Sequence, residues 1–150
     1  MPEVLTAEQH PGNLKTAATR STGTPLIGKD RISRRVHRLG REISSTYEGI
    51  DTPLVLVVIL KGATVFAADL MRSLRIPAEL EFIRAASYGG GTSSQGRPMR
   101  LAALLDRPAR RSVEVHIDFR GFTIPDRFVI GYGLDYAGLY RELPAIYSLS

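Results

Sequence analysis

A chain of 150 residues, 43% hydrophobic and 23% charged, is long enough for one domain with its own core and too short for two ordinary ones. It has no cysteine, which excludes disulfides and cysteine-ligated zinc and makes a reducing cytoplasm the expected setting. A net charge of +5 suits an anionic partner, yet phosphorylated metabolites, nucleic acid and anionic lipid all qualify on charge alone.

Residues 1–26 are polar, without sustained periodicity, and are expected to form a mobile extension to a domain spanning 27–150. No charged-then-apolar segment opens the chain, so secretion is not expected. Ile32, Val36, Leu39 and Ile43 then follow the spacing of one helix face, with Arg31, Arg34, Arg35, Arg38 and Arg41 crowding the other. Such a face reads as solvated helix surface before it reads as a nucleic-acid patch, because no aromatic residues interleave with the arginines. His10, His37 and His116 lie far apart, without metal-ligand spacing.

Leu54 to Leu60 is apolar at every position, valine-rich and flanked by Pro53 and Gly62. It is far too short to span a membrane, and it fits a parallel strand buried on both faces. Val65, Phe66, Leu70 and Leu74 give a helix stopping before Pro77, and the stretch from Glu79 to Ile83 alternates like a strand. Strand, helix and strand form a βαβ unit, the building block of parallel sheets. Beyond a glycine-rich loop, Leu101 to Leu105 is strand-sized. Val113 to Phe119 alternates apolar and polar residues, as a strand with one wet face does, and Arg127 to Gly133 gives another short strand.

Three places suit chemistry. Lys61-Gly62 sits where the buried strand meets its helix, a position suited to phosphate or pyrophosphate, although an ordinary strand-to-helix turn is the commoner meaning of that dipeptide. The loop from Ser87 to Gly96 is equally a mobile lid anchored by Tyr88 or a plain surface loop. Phe128, Asp135 and Arg141 lie within one short span: a ring to stack on a flat base, a carboxylate for magnesium and a clamp for phosphate.

With "ILKGA", "FIRAASYGGGTSSQG", "LLDRPARR" and "DFRGFTIPDRFVIGYGLDYAGLYRELP", the chain from Ile27 to Ser150 resembles the bacterial hypoxanthine (hypoxanthine-guanine) phosphoribosyltransferases, type I phosphoribosyltransferases. The resemblance implies an α/β fold, an open parallel sheet with a small hood built from the C-terminal segment and parts of the N-terminus. It implies transfer of phosphoribosyl from PRPP to hypoxanthine or guanine, giving IMP or GMP and pyrophosphate, with Mg²⁺, in the cytoplasm. It also implies a homo-oligomer, dimer or tetramer, with no nucleic-acid or membrane partner. On the same resemblance Leu60, Lys61, Gly62 and Arg141 contact pyrophosphate, Ser87 and Tyr88 begin the lid, and Asp135 holds the metal. Phe128 stacks on the purine, Val129 reads its edge through the backbone, and Arg107 stands where the family has a lysine.

One family segment is missing. A strand of valines and isoleucines leading into a sequence like EDIIDTG belongs between the lid and "LLD", and nothing of that kind lies between Gly96 and Leu101. With it go, by the resemblance, the ribose-phosphate cradle, the general-base aspartate, a central strand and a helix, some forty residues joined across positions 97–100. No catalytic residue is therefore expected to be retained, and activity is expected to be impaired. Two alternatives stand beside this: a catalytically silent relative that binds purine or pairs with a full-length subunit, and a basic nucleic-acid-binding module.

Overall fold

The computed structural model describes residues 23–84 and 99–149; the lid residues Ser87 and Tyr88, the junction at 97–98 and most of the N-terminal extension lie outside them. Helix α1 (Lys29–Thr46) buries Ile32, Val36, Leu39 and Ile43, the stripe expected of it. Its arginine face is not wholly solvated. Arg35 Nε donates to Gly121 O at 3.2 Å and its guanidinium also reaches Arg120 O and Glu42, while Arg31 lies over the Phe122 ring. Long apolar stems let such side chains pack as well as carry charge.

Strand β1 (Leu54–Leu60) runs into helix α2 (Thr64–Ser73) and returns as β2 (Ala78–Arg84), paired in parallel with Leu54 opposite Ala78 and Leu60 opposite Arg84. Helices α1 and α2 approach closely because position 40 is glycine: a Cβ there would stand 2.5 Å from Ser73 O. Strands β3 (Ala102–Asp106) and β4 (Phe119–Thr123) form a second parallel pair. Strands β5 (Phe128–Ile130) and β6 (Tyr147–Leu149) form an antiparallel ribbon, tied to the N-terminal side by reciprocal Ile27 and Ile146 hydrogen bonds of 3.1 and 3.0 Å. This ribbon is the expected hood. One core joins all these parts, with Ile32, Leu39, Phe66, Leu70, Leu104, Phe119, Tyr132 and Ile146 among its members.

Two expectations need correction. The alternating stretch from Val113 is not a strand; β4 begins only at Phe119, whose N–H donates to Leu101 O at 3.0 Å. Val113 and Val115 have no apolar surface to cover them and stay exposed, and Arg111 instead holds the Val115 carbonyl at 2.9 Å. Nor is β1 buried on both faces: Val55, Val57 and Ile59 are 42%, 53% and 50% exposed.

The sheet is split. Among the described residues β1 pairs only with β2 and β3 only with β4, so no ladder joins the two parallel pairs. Between them lies a groove of about 600 Å³, walled by β1 on one side and by Leu101, Ala102 and Phe119 on the other, and floored by Phe66, Ala67 and Leu70.

Candidate functional site

The Leu60–Gly62 turn leaves the end of β1, with Lys61 exposed and its peptide bond to Leu60 in the cis form. The hood meets this turn through glycine. Gly133 has φ +92°, a region that side-chain-bearing residues rarely occupy, and a Cβ on it would lie 2.7 Å from Gly62 O. Leu134 lies against Gly62 as well. The folding of the Gly131–Asp135 turn therefore brings two distant parts of the sequence together.

Within the hood, Arg141 Nη1 donates to Gly133 O at 2.6 Å, and its Nη2 lies 2.6 Å from Asp135 Oδ1. Asp135 Oδ2 accepts from the Gly138 N–H at 2.8 Å. Asp135 and Arg141, expected separately as metal ligand and pyrophosphate contact, are thus directly paired beside the Lys61–Gly62 turn.

The expected purine residues form a neighbouring group. Arg107 leaves β3 and its Nη1 donates to Arg127 O at 3.0 Å, the carbonyl just before Phe128. Phe128 presents a ring 51% exposed, and Val129 is half-buried beside it in β5. The Phe128 ring packs edge-on against Tyr136, with centroids 5.8 Å apart at 86°, so the residue after Asp135 links the two groups. Tyr136 was not singled out from sequence; one aromatic among six tyrosines carries no mark of its own.

Two further groups escape sequence reading. Asp106 is buried at the end of β3 and faces Arg111 and Arg120, the latter with Nε 3.0 Å from Oδ2. With Arg110 bonded to Asp126 at 2.7 Å, the arginine-rich turn is largely occupied in holding its own carboxylates. Tyr132 is buried at φ +51° and donates its hydroxyl to Asp69 Oδ2 at 2.6 Å, fastening the hood to α2. Burial, then the hydrogen bond to the Asp69 carboxylate, pushes the Tyr132 hydroxyl far above the ordinary value of 10.0. A raised folded value favours the protonated form, so this contribution to stability is complete below pH ~10 and is lost as the pH rises above it. Stability should fall above pH 10 by about 1.4 kcal/mol per pH unit more steeply in the parent than in Tyr132→Phe. Denaturant midpoints measured at pH 9 to 11 check this; equal slopes would contradict it.

No family model matches the chain. It is 32% identical to the hypoxanthine phosphoribosyltransferase of Salmonella typhimurium over 163 positions, covering 81% of this chain and 92% of that protein. Since 81% of 150 residues is about 122, about 41 of the 163 aligned positions have no residue here. The fold superposes on a Leishmania tarentolae HGPRT-ase in complex with GMP at TM-score 0.76 and 28% identity, covering 87% of this chain and 98% of that one. It superposes on the Trypanosoma cruzi hypoxanthine phosphoribosyltransferase in complex with IMP at TM-score 0.74 and 29% identity, covering 84% and 93%. Similarity of this extent in sequence, carried by the same fold, makes the chain a member of the hypoxanthine phosphoribosyltransferase family.

Proposed function

We propose that the chain is a purine-salvage phosphoribosyltransferase that retains its purine and pyrophosphate subsites but not its ribose-phosphate cradle. The observation that carries this reading is the exposed Phe128 ring, which follows the Arg127 carbonyl held by Arg107 and packs edge-on against Tyr136, the neighbour of the Asp135 paired with Arg141. A purine stacks on Phe128, an interaction worth about 1–3 kcal/mol per base. The Val129 backbone meets the purine edge, and the Arg107 guanidinium faces its carbonyl oxygen. Arginine keeps the charge of the family's lysine but spreads it over a planar fork, so this contact is less localised. Pyrophosphate lies across Lys61, Gly62 and Arg141. The lid of Ser87 and Tyr88 belongs to the same proposal, as do the cytoplasmic setting and a homo-oligomeric state.

Magnesium fits Asp135 as a single-carboxylate site. Each carboxylate oxygen has two lone pairs and uses one in the structure, toward Arg141 or the Gly138 N–H. Among the described residues no cluster of three acidic, histidine or cysteine groups forms a protein cage, which suits an ion that keeps water and phosphate oxygens as its other ligands. When bound, Mg²⁺ neutralises charge on the leaving pyrophosphate. Arg141 shares that work, and the lysine at the strand end adds a third cationic group.

The roughly 41 unmatched positions are proposed to lie at residues 97–100 and to include the ribose-phosphate amides and the general base. In family terms the reaction forms IMP or GMP from PRPP and a purine base; here purine and pyrophosphate binding outlast efficient transfer. A silent relative that only binds purine differs in one result, the absence of any IMP with saturating PRPP and Mg²⁺.

Asp135→Asn tests the metal assignment. Mg²⁺ should strengthen pyrophosphate binding at least about tenfold in the parent and hardly at all in the variant, since the amide is a poor ligand for a hard cation. Melting temperature should move by only a few degrees, because the half-exposed pair with Arg141 contributes about 1 kcal/mol or less. A large fall in melting temperature with unchanged Mg²⁺ dependence would make Asp135 structural.

A further inference from the structure

The turn that carries Arg107 and the bend that leads into Phe128 come from different sheets and meet at one carboxylate. Arg107 precedes a single 3-10 turn, Pro108–Arg110, at the end of β3. Asp126 lies in the bend between β4 and β5, two residues before Phe128, where the Arg127 N–H donates to Pro125 O at 2.8 Å and closes a tight turn around it. Its Oδ1 is 2.7 Å from Arg110 Nε and 3.9 Å from Arg107 Nη1, and the same Nη1 donates to Arg127 O at 3.0 Å. Two guanidinium groups thus approach one oxygen. Among the described residues Arg107 uses no other side-chain donor, so its Nη2 and Nε are left for a ligand.

We propose that Asp126 is the positioning residue of the purine subsite: it holds the Arg107 guanidinium toward the carbonyl oxygen of a bound 6-oxopurine and so sets the preference for purines that carry that oxygen. The inference rests on the purine subsite proposed above and adds the residue that makes Arg107 selective. Packing alone does not fix Arg107, whose side chain is 35% exposed. The Arg127 carbonyl holds it at one nitrogen, about which the planar group can still turn. The Asp126 charge beside that nitrogen is the second hold. It also offsets the repulsion between Arg107 and Arg110, since side chains three residues apart eclipse in a 3-10 turn. Asp126 itself touches no purine in this account and acts through Arg107. An amide at 126 keeps the shape of the carboxylate and loses its charge.

Dissociation constants for hypoxanthine, unsubstituted purine and pyrophosphate, measured by ligand-observed NMR on the intact chain, test it. Unsubstituted purine can stack on Phe128 but offers Arg107 no oxygen. Asp126→Asn should weaken hypoxanthine about fivefold, the size of one exposed ion-pair interaction, and leave the other two ligands within about twofold of the parent. Arg107→Ala should weaken hypoxanthine at least about tenfold, again sparing the other two. Adding Asp126→Asn to Arg107→Ala should weaken hypoxanthine no further, because the two residues act as one unit. Equal weakening of hypoxanthine and either control ligand by Asp126→Asn would make Asp126 a structural support of the bend and overturn the proposal. So would an unchanged hypoxanthine constant, or a full additional loss in the double variant. Phe128→Ala reports on the subsite separately. It should weaken hypoxanthine and unsubstituted purine alike; if it weakens neither, the purine subsite itself falls, and this inference with it.

Discussion

With saturating hypoxanthine and Mg²⁺ and with PRPP below its KM, IMP formation by this chain should run at least about 10⁶-fold below that of a full-length relative in kcat/KM for PRPP. The magnitude follows from the two losses proposed above. About four charged hydrogen bonds to the ribose 5-phosphate, at ~1.5–3 kcal/mol each, remove 6 kcal/mol or more, which is ~10⁴ in affinity. A general base contributes a further ~10²–10⁴ in rate. No carboxylate among the described residues of the site replaces it: Asp135 is paired with Arg141, and Asp69 and Asp106 are engaged by Tyr132 and by Arg111 with Arg120. A steady-state assay following IMP gives the comparison. Catalysis within tenfold of a full-length relative would mean that the missing contacts are supplied by other residues.

The second large effect falls on the sheet. The isolated chain should bind ANS, show a weak near-UV signal and melt broadly, and it should associate as its concentration rises. A central strand bearing four large apolar side chains contributes roughly 6–12 kcal/mol of burial, comparable with a domain's whole net stability of about 5–15 kcal/mol. What remains is one core under α1, a groove of about 600 Å³ and an uncovered apolar face at Val55, Val57, Ile59 and Ile83. Open edges and exposed faces of this kind promote contact between copies. ANS titration, near-UV circular dichroism and light scattering over a concentration series measure it. A monodisperse species melting sharply above about 60 °C would show that the two half-sheets have closed on each other.

Local pattern made much of this fold legible. The α1 stripe, the run at β1 and the turn before Pro77 each agree with their surroundings, and the structure follows them. Val113 to Asp118 shows where alternation misleads, since a half-apolar strand forms only where another layer covers its apolar side, and none does here. The split sheet was likewise invisible to periodicity, because β1 carries the pattern of a central strand and lacks only its neighbour. At the site, Lys61, Gly62, Phe128, Asp135 and Arg141 stood out by motif. The Tyr132–Asp69 bond and the buried Asp106 did not, because each joins residues of ordinary type across the fold.

The claim that purine and pyrophosphate subsites persist without a ribose-phosphate cradle is tested most directly by calorimetry with three ligands in the presence of Mg²⁺. Hypoxanthine and pyrophosphate should each bind weakly, the first at Phe128 and the second at Lys61 and Arg141. PRPP should bind no more tightly than pyrophosphate, since its 5-phosphate gains nothing from the protein. Sub-micromolar PRPP binding, well below the dissociation constant for pyrophosphate, would contradict the account.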